Sequence, residues 1–545
     1  MTSMRLRDSL LNALRTQSFD VLVIGGGIVG AGIARDAAMR GLRVALIERG
    51  DVASGTSSKT SKLIHGGLRY LEQRQIRLVY ESLQERHIWR TIAPQWVWPL
   101  SLMIPIYRSD PRPPWQIALG LWCYDRLAGS RGLRTHRMMD SSQAERMAPG
   151  LRTEDLRAAA LYADCQMNDA RLWLATLLQA ISFGAVCCNY VRLVSFDRAS
   201  DRLQGAVVED VRTGEQFGVR ATVLVNATGP WSDHIRRLSD PSAPERLAPT
   251  KGIHLLVSKL TEQAMFVQAR ADRRMIFLLP WGGYSLIGTT ESAGISSLDD
   301  LWANEQEVDY LLSEINRIFP AARLRPADIV ATYAGARPLL AFSGSSTQAS
   351  REHRIEVDRF GLVSVMGGKF TTSRRMAAQA VDLIVTRKHF TVERSLTDQI
   401  SLVEPAQPVV LNRWQEATRR IAPELLARLL ATYGAGAFHI LRLLEFEPSL
   451  HQLVCPHHEQ IQAELVYAIE EELACTVSDL LIRRTPIAFS SCQGLDALSM
   501  VADLLQRYGR LSAEEVHEQI IAYQQFLVRS LACRGPVPVA IHDAI

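Results

Sequence analysis

The sequence predicts an α/β fold that opens on a dinucleotide-binding unit, continues into antiparallel sheet and ends in a wholly helical portion. Three observations carry this expectation. Four consecutive apolar residues, 21–24, run into Gly25-Gly26-Gly27 and then Gly30, and a small-residue helical segment leads to a second apolar run, 44–47, that ends at Glu48. Farther along, paired apolar runs are joined by short glycine-containing turns, the pattern of hairpins. Past Glu404-Pro405-Ala406-Gln407-Pro408, which reads as a linker, only helical periodicity is left.

The opening stretch has strand–turn–helix–strand order with the G-x-G-x-x-G glycines at 25, 27 and 30. Glu48 follows Gly30 by 18 residues, close to the spacing at which a carboxylate meets a ribose hydroxyl. The glycines let the backbone turn tightly and approach a pyrophosphate, and the helix beginning there offers free N–H groups and a positive dipole end. On this stretch alone, NAD and FAD are nearly level.

Composition narrows the remainder. A chain of 545 residues is too long for one core and suggests roughly three or four domain-sized units. Apolar content of 47% and charged content of 22% are ordinary for a soluble globular protein, and a net charge of +4 with interspersed signs argues against nucleic acid as a partner. Eight scattered cysteines with no C-x-x-C pair read as buried thiols in a reducing compartment and give no metal site. Cys455-Pro456-His457-His458, lacking a partner cluster in the sequence, reads as a surface loop. No apolar run is long enough to span a membrane. Arg5, Arg7 and Arg15 with Leu6, Leu10 and Leu14 suggest a short structural helix rather than a targeting segment.

Residues 50–62, a polar loop of small residues that includes Ser58 and Lys62, suit close contact with a ligand. They lead into Leu63-Ile64-His65-Gly66-Gly67-Leu68-Arg69-Tyr70. With the glycine fingerprint, this stretch closely resembles the FAD-dependent glycerol-3-phosphate dehydrogenases of the respiratory, aerobic type. In that family the two glycines and Leu-Arg-Tyr lie beside the flavin ring and the substrate. Residues 71–92 have the apolar spacing of a helix. Between Trp89 and Trp122 lie five of the ten tryptophans, with prolines and arginines. A membrane interface and a tryptophan-rich core are equally good readings of that composition. The resemblance favours the interface, because family members are peripheral membrane enzymes that hand electrons to quinone.

Residues 164–172, DCQMNDARL, match a family segment at a helix start, with Asn168 standing where the family usually has an acid and with Asp169 and Arg171 kept. Residues 206–211 and 216–219 form an expected hairpin through Thr213-Gly214, and 221–231 form a further buried strand ending in Ala227-Thr228-Gly229. In flavoproteins of the two-dinucleotide-binding type, such a strand closes over the adenine side of FAD. Lys251-Gly252-Ile253-His254 open the substrate sheet, and 275–279 with 284–288 make a hairpin through Pro280-Trp281-Gly282-Gly283. Residues 333–339 and 350–353 follow. A strand at 362–365 then enters Gly367-Gly368-Lys369-Phe370-Thr371-Thr372 and a helix from about Ser373, itself a departure from a commonly aromatic family position. In the C-terminal portion 459–473 and 495–507 are helical, Ser512 with Glu515 caps a last long helix ending near Leu531, and Glu470-Glu471-Glu472 read as a solvated face.

The resemblance implies an α/β flavoprotein. A Rossmann-type FAD-binding domain and an antiparallel-sheet substrate domain interleave over residues 1–404, and an all-α domain covers 405–545. It implies oxidation of sn-glycerol 3-phosphate to dihydroxyacetone phosphate with FAD as cofactor and quinone as electron acceptor. The expected location is the cytoplasm, peripheral on the cytoplasmic face of the inner membrane; a homodimer is left open. The expected cofactor-binding residues are Gly25, Gly27, Gly30, Glu48, Ser58, Lys62, Leu63, Gly229, Gly368 and Lys369. Arginine suits a dianionic phosphate because its planar fork bonds bidentately and keeps its charge. By position in the family motifs the substrate-binding candidates are Arg69, Tyr70, Arg337 and Arg351, with Arg351 at the phosphate and Arg337 nearer the hydroxyl. His254 and Lys369 compete for the role of base, with Lys369 alternatively stabilising charge on the reduced flavin and Arg337 completing the catalytic set. The rival expectations are an FAD oxidase of glycerophosphate or amino-acid type, reducing oxygen, and a flavin-binding protein without turnover.

Overall fold

Residues 6–341, 352–402 and 421–534 are described by the computed structural model. Strand Ser18–Ile24 lies between Gln216–Asn226 and Val44–Ile47 and runs parallel to both. Residues 21–24 are covered on both faces, which is why they are apolar without alternation. The eight-stranded sheet extends through Val363–Gly367 to His353–Val357 on one side and through Val186–Cys188 on the other. Helix Ile28–Met39 packs between Asp169–Ser182 and Ser373–Lys388. Gly32 makes the second contact close, since a Cβ there would stand 3.0 Å from the Ala377 Cβ.

Gln216–Asn226 is a single strand where the sequence suggested two. Its first half pairs antiparallel with Arg202–Asp210 and its second half runs parallel with Ser18–Ile24, Arg220 sharing in both pairings. No turn residue separates the halves, so nothing stops the strand from serving two neighbours.

A second, nine-stranded sheet carries Ile329–Arg337, Thr250–Ser258, Tyr284–Gly288, Met275–Trp281, Ala264–Gln268, Val97–Tyr107, Leu156–Met167 and Leu63–Ile64 in that order. The chain therefore crosses between the sheets several times, and the two units interleave. The Met275–Trp281/Tyr284–Gly288 hairpin turns on Gly282 and Gly283, both at positive φ (56° and 83°), a geometry that favours glycine at both positions.

The helical portion from 421 to 534 has its own core, in which Leu441, Leu465, Val501 and Tyr523 are fully buried. It is fastened to the rest by buried charge pairs, Arg484 with Asp51 at 2.8 Å and Arg171 with Glu472 at 2.6 Å. Glu472 is thus buried rather than on a solvated face, because Arg171 draws it inward. Ser512 and Glu515 form the expected capping box ahead of helix Ala513–Leu531. The 459–473 helix is shorter than expected, Gln462–Glu471, because Val454 N–H donates to the Gln460 carbonyl and holds the preceding residues in a loop. Cys492 closes on Cys455 and His458 of that loop, a neighbour that sequence spacing does not reveal.

The 71–92 helix is broken into Arg69–Glu72 and Ile76–Ile92, with Arg74 between them at φ 57°. Helix Leu6–Thr16 is docked, with Leu10 and Leu14 buried and Arg7 bonded to Asp210 at 3.0 Å. The tryptophans divide: Trp89 and Trp96 are core, whereas Trp98, Trp115 and Trp122 are exposed. Among the described residues no helix is long and apolar enough to cross a membrane. The linker at 404–408 lies outside the described residues, as does Arg351.

Candidate active site

A cavity of about 630 Å³ runs between the two sheets, from Gly25, Gly27 and Glu48 at one end to Arg337, His254 and Arg274 at the other. At the first end the glycines are required by space. Gly25 stands at φ 109°, and a Cβ on it would lie 2.7 Å from the Ala227 carbonyl oxygen. A Cβ on Gly30 would collide with the Gly25 carbonyl, so Gly30 closes the strand–helix turn rather than lining the cavity. Glu48 accepts from the N–H groups of Gly26 (2.7 Å) and Gly50 (3.1 Å); burial raises its pKa more than these bonds lower it. Gly229, at φ 57°, and Leu63 line the middle. The glycine turns leave room for an elongated ligand, and the Glu48 carboxylate lines the cavity beside them. These residues fit an adenine dinucleotide.

The other end gathers side chains from both sheets. Arg69 lies over the Tyr70 ring, 5.8 Å from its centroid, and among the described residues it has no carboxylate partner. The Lys369 Nζ lies 5.0 Å from the same centroid and donates to the His65 carbonyl at 3.4 Å. Gly67, at φ 79°, could not carry a Cβ without striking Tyr70, and Gly368, at φ 81°, without striking Met376. Arg337 donates to Thr289 Oγ1 at 2.8 Å and to the Thr290 carbonyl at 3.0 Å. Gly252 leaves room for that guanidinium. His254 stacks on Tyr333 at 4.8 Å, and its Nε2 shares a hydrogen with Ser61 Oγ at 2.9 Å. Burial, with the nearby charges of Arg337 and Lys62, holds its pKa well below the ordinary histidine value, so the ring is neutral at neutral pH.

Two sequence expectations are corrected here. Lys62 points away from this cavity into a neighbouring one, where its Nζ is buried against Asp169 at 2.7 Å, and Ser58 turns the same way, donating to the Ala53 carbonyl. The φ of Lys62, 55°, aims its side chain to the far side of the loop. Asn168 caps helix Asp169–Ser182, accepting from the Arg171 N–H at 3.1 Å.

Sequence reasoning missed the group that holds the Gly66-Gly67 turn. Buried Asp164 accepts from the Gly66 N–H (3.1 Å), Arg86 (2.6 Å) and the Tyr124 hydroxyl (2.9 Å). Asp164 opens the DCQMNDARL segment, but its partners lie 40 to 98 residues away and nothing local marks them. Arg274 and Thr289, which also line the cavity, carried no signal either.

Comparison with known proteins identifies the family. The FAD dependent oxidoreductase family model matches residues 20–383, and that of the C-terminal domain of alpha-glycerophosphate oxidase matches 403–516. The glycerol-3-phosphate dehydrogenase of Synechocystis sp. is 35% identical over 540 residues, covering 94% of this chain and 97% of its own. The mitochondrial glycerol-3-phosphate dehydrogenase of Homo sapiens is 34% identical over 547 residues, covering 95% of this chain and 74% of its own. The crystal structure of the glycerol-3-phosphate dehydrogenase from Bacillus halodurans complexed with FAD superposes with a TM-score of 0.80 at 27% identity, over 98% of this chain and 100% of that one. With both family models matched and relatives at this identity over nearly the whole chain, the chain belongs to the FAD-dependent glycerol-3-phosphate dehydrogenases.

Proposed function

We propose that the chain oxidises sn-glycerol 3-phosphate to dihydroxyacetone phosphate at the cationic end of the cavity and passes the electrons to a quinone. The observation that carries this reading is the convergence of Arg69, Arg337, Lys369 and neutral His254 on one end of a cavity whose other end is a glycine cradle. FAD, when bound, supplies the acceptor for a hydride. The chain's own residues do the rest. Arg69, free of any carboxylate among the described residues, is available to a phosphate. Arg351 keeps its expected phosphate role within this proposal. Arg337, held in place by Thr289 and the Thr290 carbonyl, orients the hydroxyl end. His254, kept neutral by burial, can take the alcohol proton at Nε2 once Ser61 gives way, whereas a protonated ring could not. Lys369 and Tyr70 flank the Gly67 turn, where the lysine can offset growing negative charge.

The expected quinone acceptor is supported by an exposed apolar face. Trp115, Leu119 and Trp122 recur at helical spacing on Pro114–Ala128, with Ile76 and Tyr80 of the adjoining helix also exposed and Arg126 over the Trp122 ring. Such a face suits peripheral seating on a bilayer. Adding glycerol 3-phosphate anaerobically to the purified protein is expected to bleach the visible flavin absorbance, and no change would sink the proposal. Reoxidation by a soluble quinone faster than by oxygen separates the dehydrogenase from an oxidase.

A further inference from the structure

The loop that precedes helix Gln462–Glu471 and the turn at 490–494 meet at three side chains unrelated to the cavity. Cys455 Sγ and Cys492 Sγ are 3.9 Å apart, and His458 Nε2 is 3.5 Å from Cys492 Sγ. The three atoms all lie within 4.8 Å of one another. Ser490 Oγ stands beside them, 2.8 Å from His458 Nε2 and 3.4 Å from Cys492 Sγ. Cys455 is buried, and the other two ligands are half-buried.

These separations have a chemical reading. Metal–sulfur bonds of about 2.3 Å and metal–nitrogen bonds of about 2.0 Å at tetrahedral angles place two sulfurs about 3.8 Å apart and sulfur about 3.6 Å from nitrogen. The observed edges match both. A disulfide would bring the sulfurs to about 2.0 Å, far inside the 3.9 Å seen. Two thiols and an imidazole are soft to borderline donors, which select zinc-like ions over magnesium or calcium. We propose that Cys455, His458 and Cys492 bind one zinc-type divalent cation, with Ser490 Oγ or solvent at the fourth corner.

Such an ion would fasten the 490–494 turn to the helical domain, and the turn and its neighbours reach the substrate sheet. Ser491 N–H donates to the Tyr284 hydroxyl at 3.1 Å, and Gln493 donates to the Val330 carbonyl at 3.1 Å. Phe489 packs edge-on to Tyr333, the residue on which His254 stacks. The ion would therefore be a clip between the helical domain and the wall behind His254. It does not depend on the proposed reaction.

The test uses the full-length flavin-containing protein, kept reduced, stripped with a chelator and then exposed to Zn²⁺ or Co²⁺. About one equivalent is expected to stay through gel filtration, with cobalt ligand-field absorption to the red of the flavin. Both Cys455 and Cys492 should then resist alkylation. Cys455→Ser and His458→Ala should each lose this retention, and Cys123→Ser should keep it. Flavin content and melting temperature of the metal-free variants verify that they have folded, and the melting temperature of the parent alone should rise with Zn²⁺. Retention unchanged in both variants, no retention in the parent, or a Cys455–Cys492 disulfide in protein purified without oxygen would overturn the site.

Discussion

The two ends of the cavity are built in different ways. Gly25, Gly27, Gly30 and Glu48 come from one unbroken stretch, and each acts through backbone geometry or a backbone hydrogen bond. Arg69, His254, Arg337 and Lys369 come from four segments far apart in the sequence, a short helix, two strands and a glycine turn, and each reaches the cavity with its side chain. At Gly25 and Gly30 the cradle tolerates no added atom, because the groups it would strike are backbone and cannot move. A constellation of side chains fails piecemeal, since each member is held by its own neighbours. The first should break all at once, and the second one function at a time.

The largest effect is expected from Gly30→Val, whose side chain would be driven into the Gly25 carbonyl. The variant should purify without flavin or not at all. A normal ratio of visible to protein absorbance would show that the cradle is softer than its geometry implies. Asp164→Ala should follow, since it strands the buried Arg86 guanidinium and frees the Gly66 turn, at about 3–5 kcal/mol read from chemical unfolding. The substitution tests whether the substrate end rests on one post.

His254→Asn should lower kcat by roughly 10²–10⁴ with flavin content unchanged. Its pH dependence sharpens the point. The folded pKa lies well below 6.5, so the ring stays neutral as pH falls through 6.5, and the acid limb of kcat/KM in the parent should lie below that value. An acid limb at or above 6.5 would remove His254 as the base. The same shift contributes to stability above pH 6.5, and that contribution fades as pH falls from 6.5 towards the folded pKa, since the unfolded chain then binds the extra proton. Arg337→Ala should cost about 2–5 kcal/mol in kcat/KM for glycerol 3-phosphate and again spare the flavin. Simultaneous loss of flavin in either variant would mean that the two ends are not separable. The smallest effect is expected from Trp115→Ser with Trp122→Ser, which should weaken sedimentation with anionic vesicles by roughly 1–3 kcal/mol and leave activity toward a soluble acceptor intact.

Legibility in the sequence followed the same division. The cradle was readable from residues 19–49 because glycine spacing is itself the geometry, although Gly25 also meets the distant Ala227 carbonyl. The interleaving of two sheets, and the cationic end, became readable only through resemblance, because spacing cannot announce that Arg69 and Arg337 share a cavity. Lys62 misled because a cation in a ligand-facing loop can turn either way, and its partner Asp169 lies 107 residues on. The single long strand Gln216–Asn226 was split because two different neighbours leave no mark on periodicity. Glu472 looked solvated beside two other acids until Arg171 supplied its countercharge. Cys455 and His458 lacked a visible partner because Cys492 approaches from another turn.

Asp51 lies two residues beyond Arg49, fully buried beneath the helical portion. Burial alone would raise its pKa, but Arg484 and Arg483 outweigh that and hold it at about 2. Both arginines come from the far end of the chain, and Asn189 bonds the same carboxylate. A cut between the flavin-binding region and the helices would therefore not release a pair of finished modules; it would leave a carboxylate without its countercharge on one side and two arginines on the other. This pairing makes the helical portion a poor candidate for exchange between proteins, since any recipient would need both halves of the charge arrangement. The two regions are expected to be inherited together and to melt together, so that ligand bound in the cavity protects the C-terminal helices from proteolysis as much as the strands that touch it.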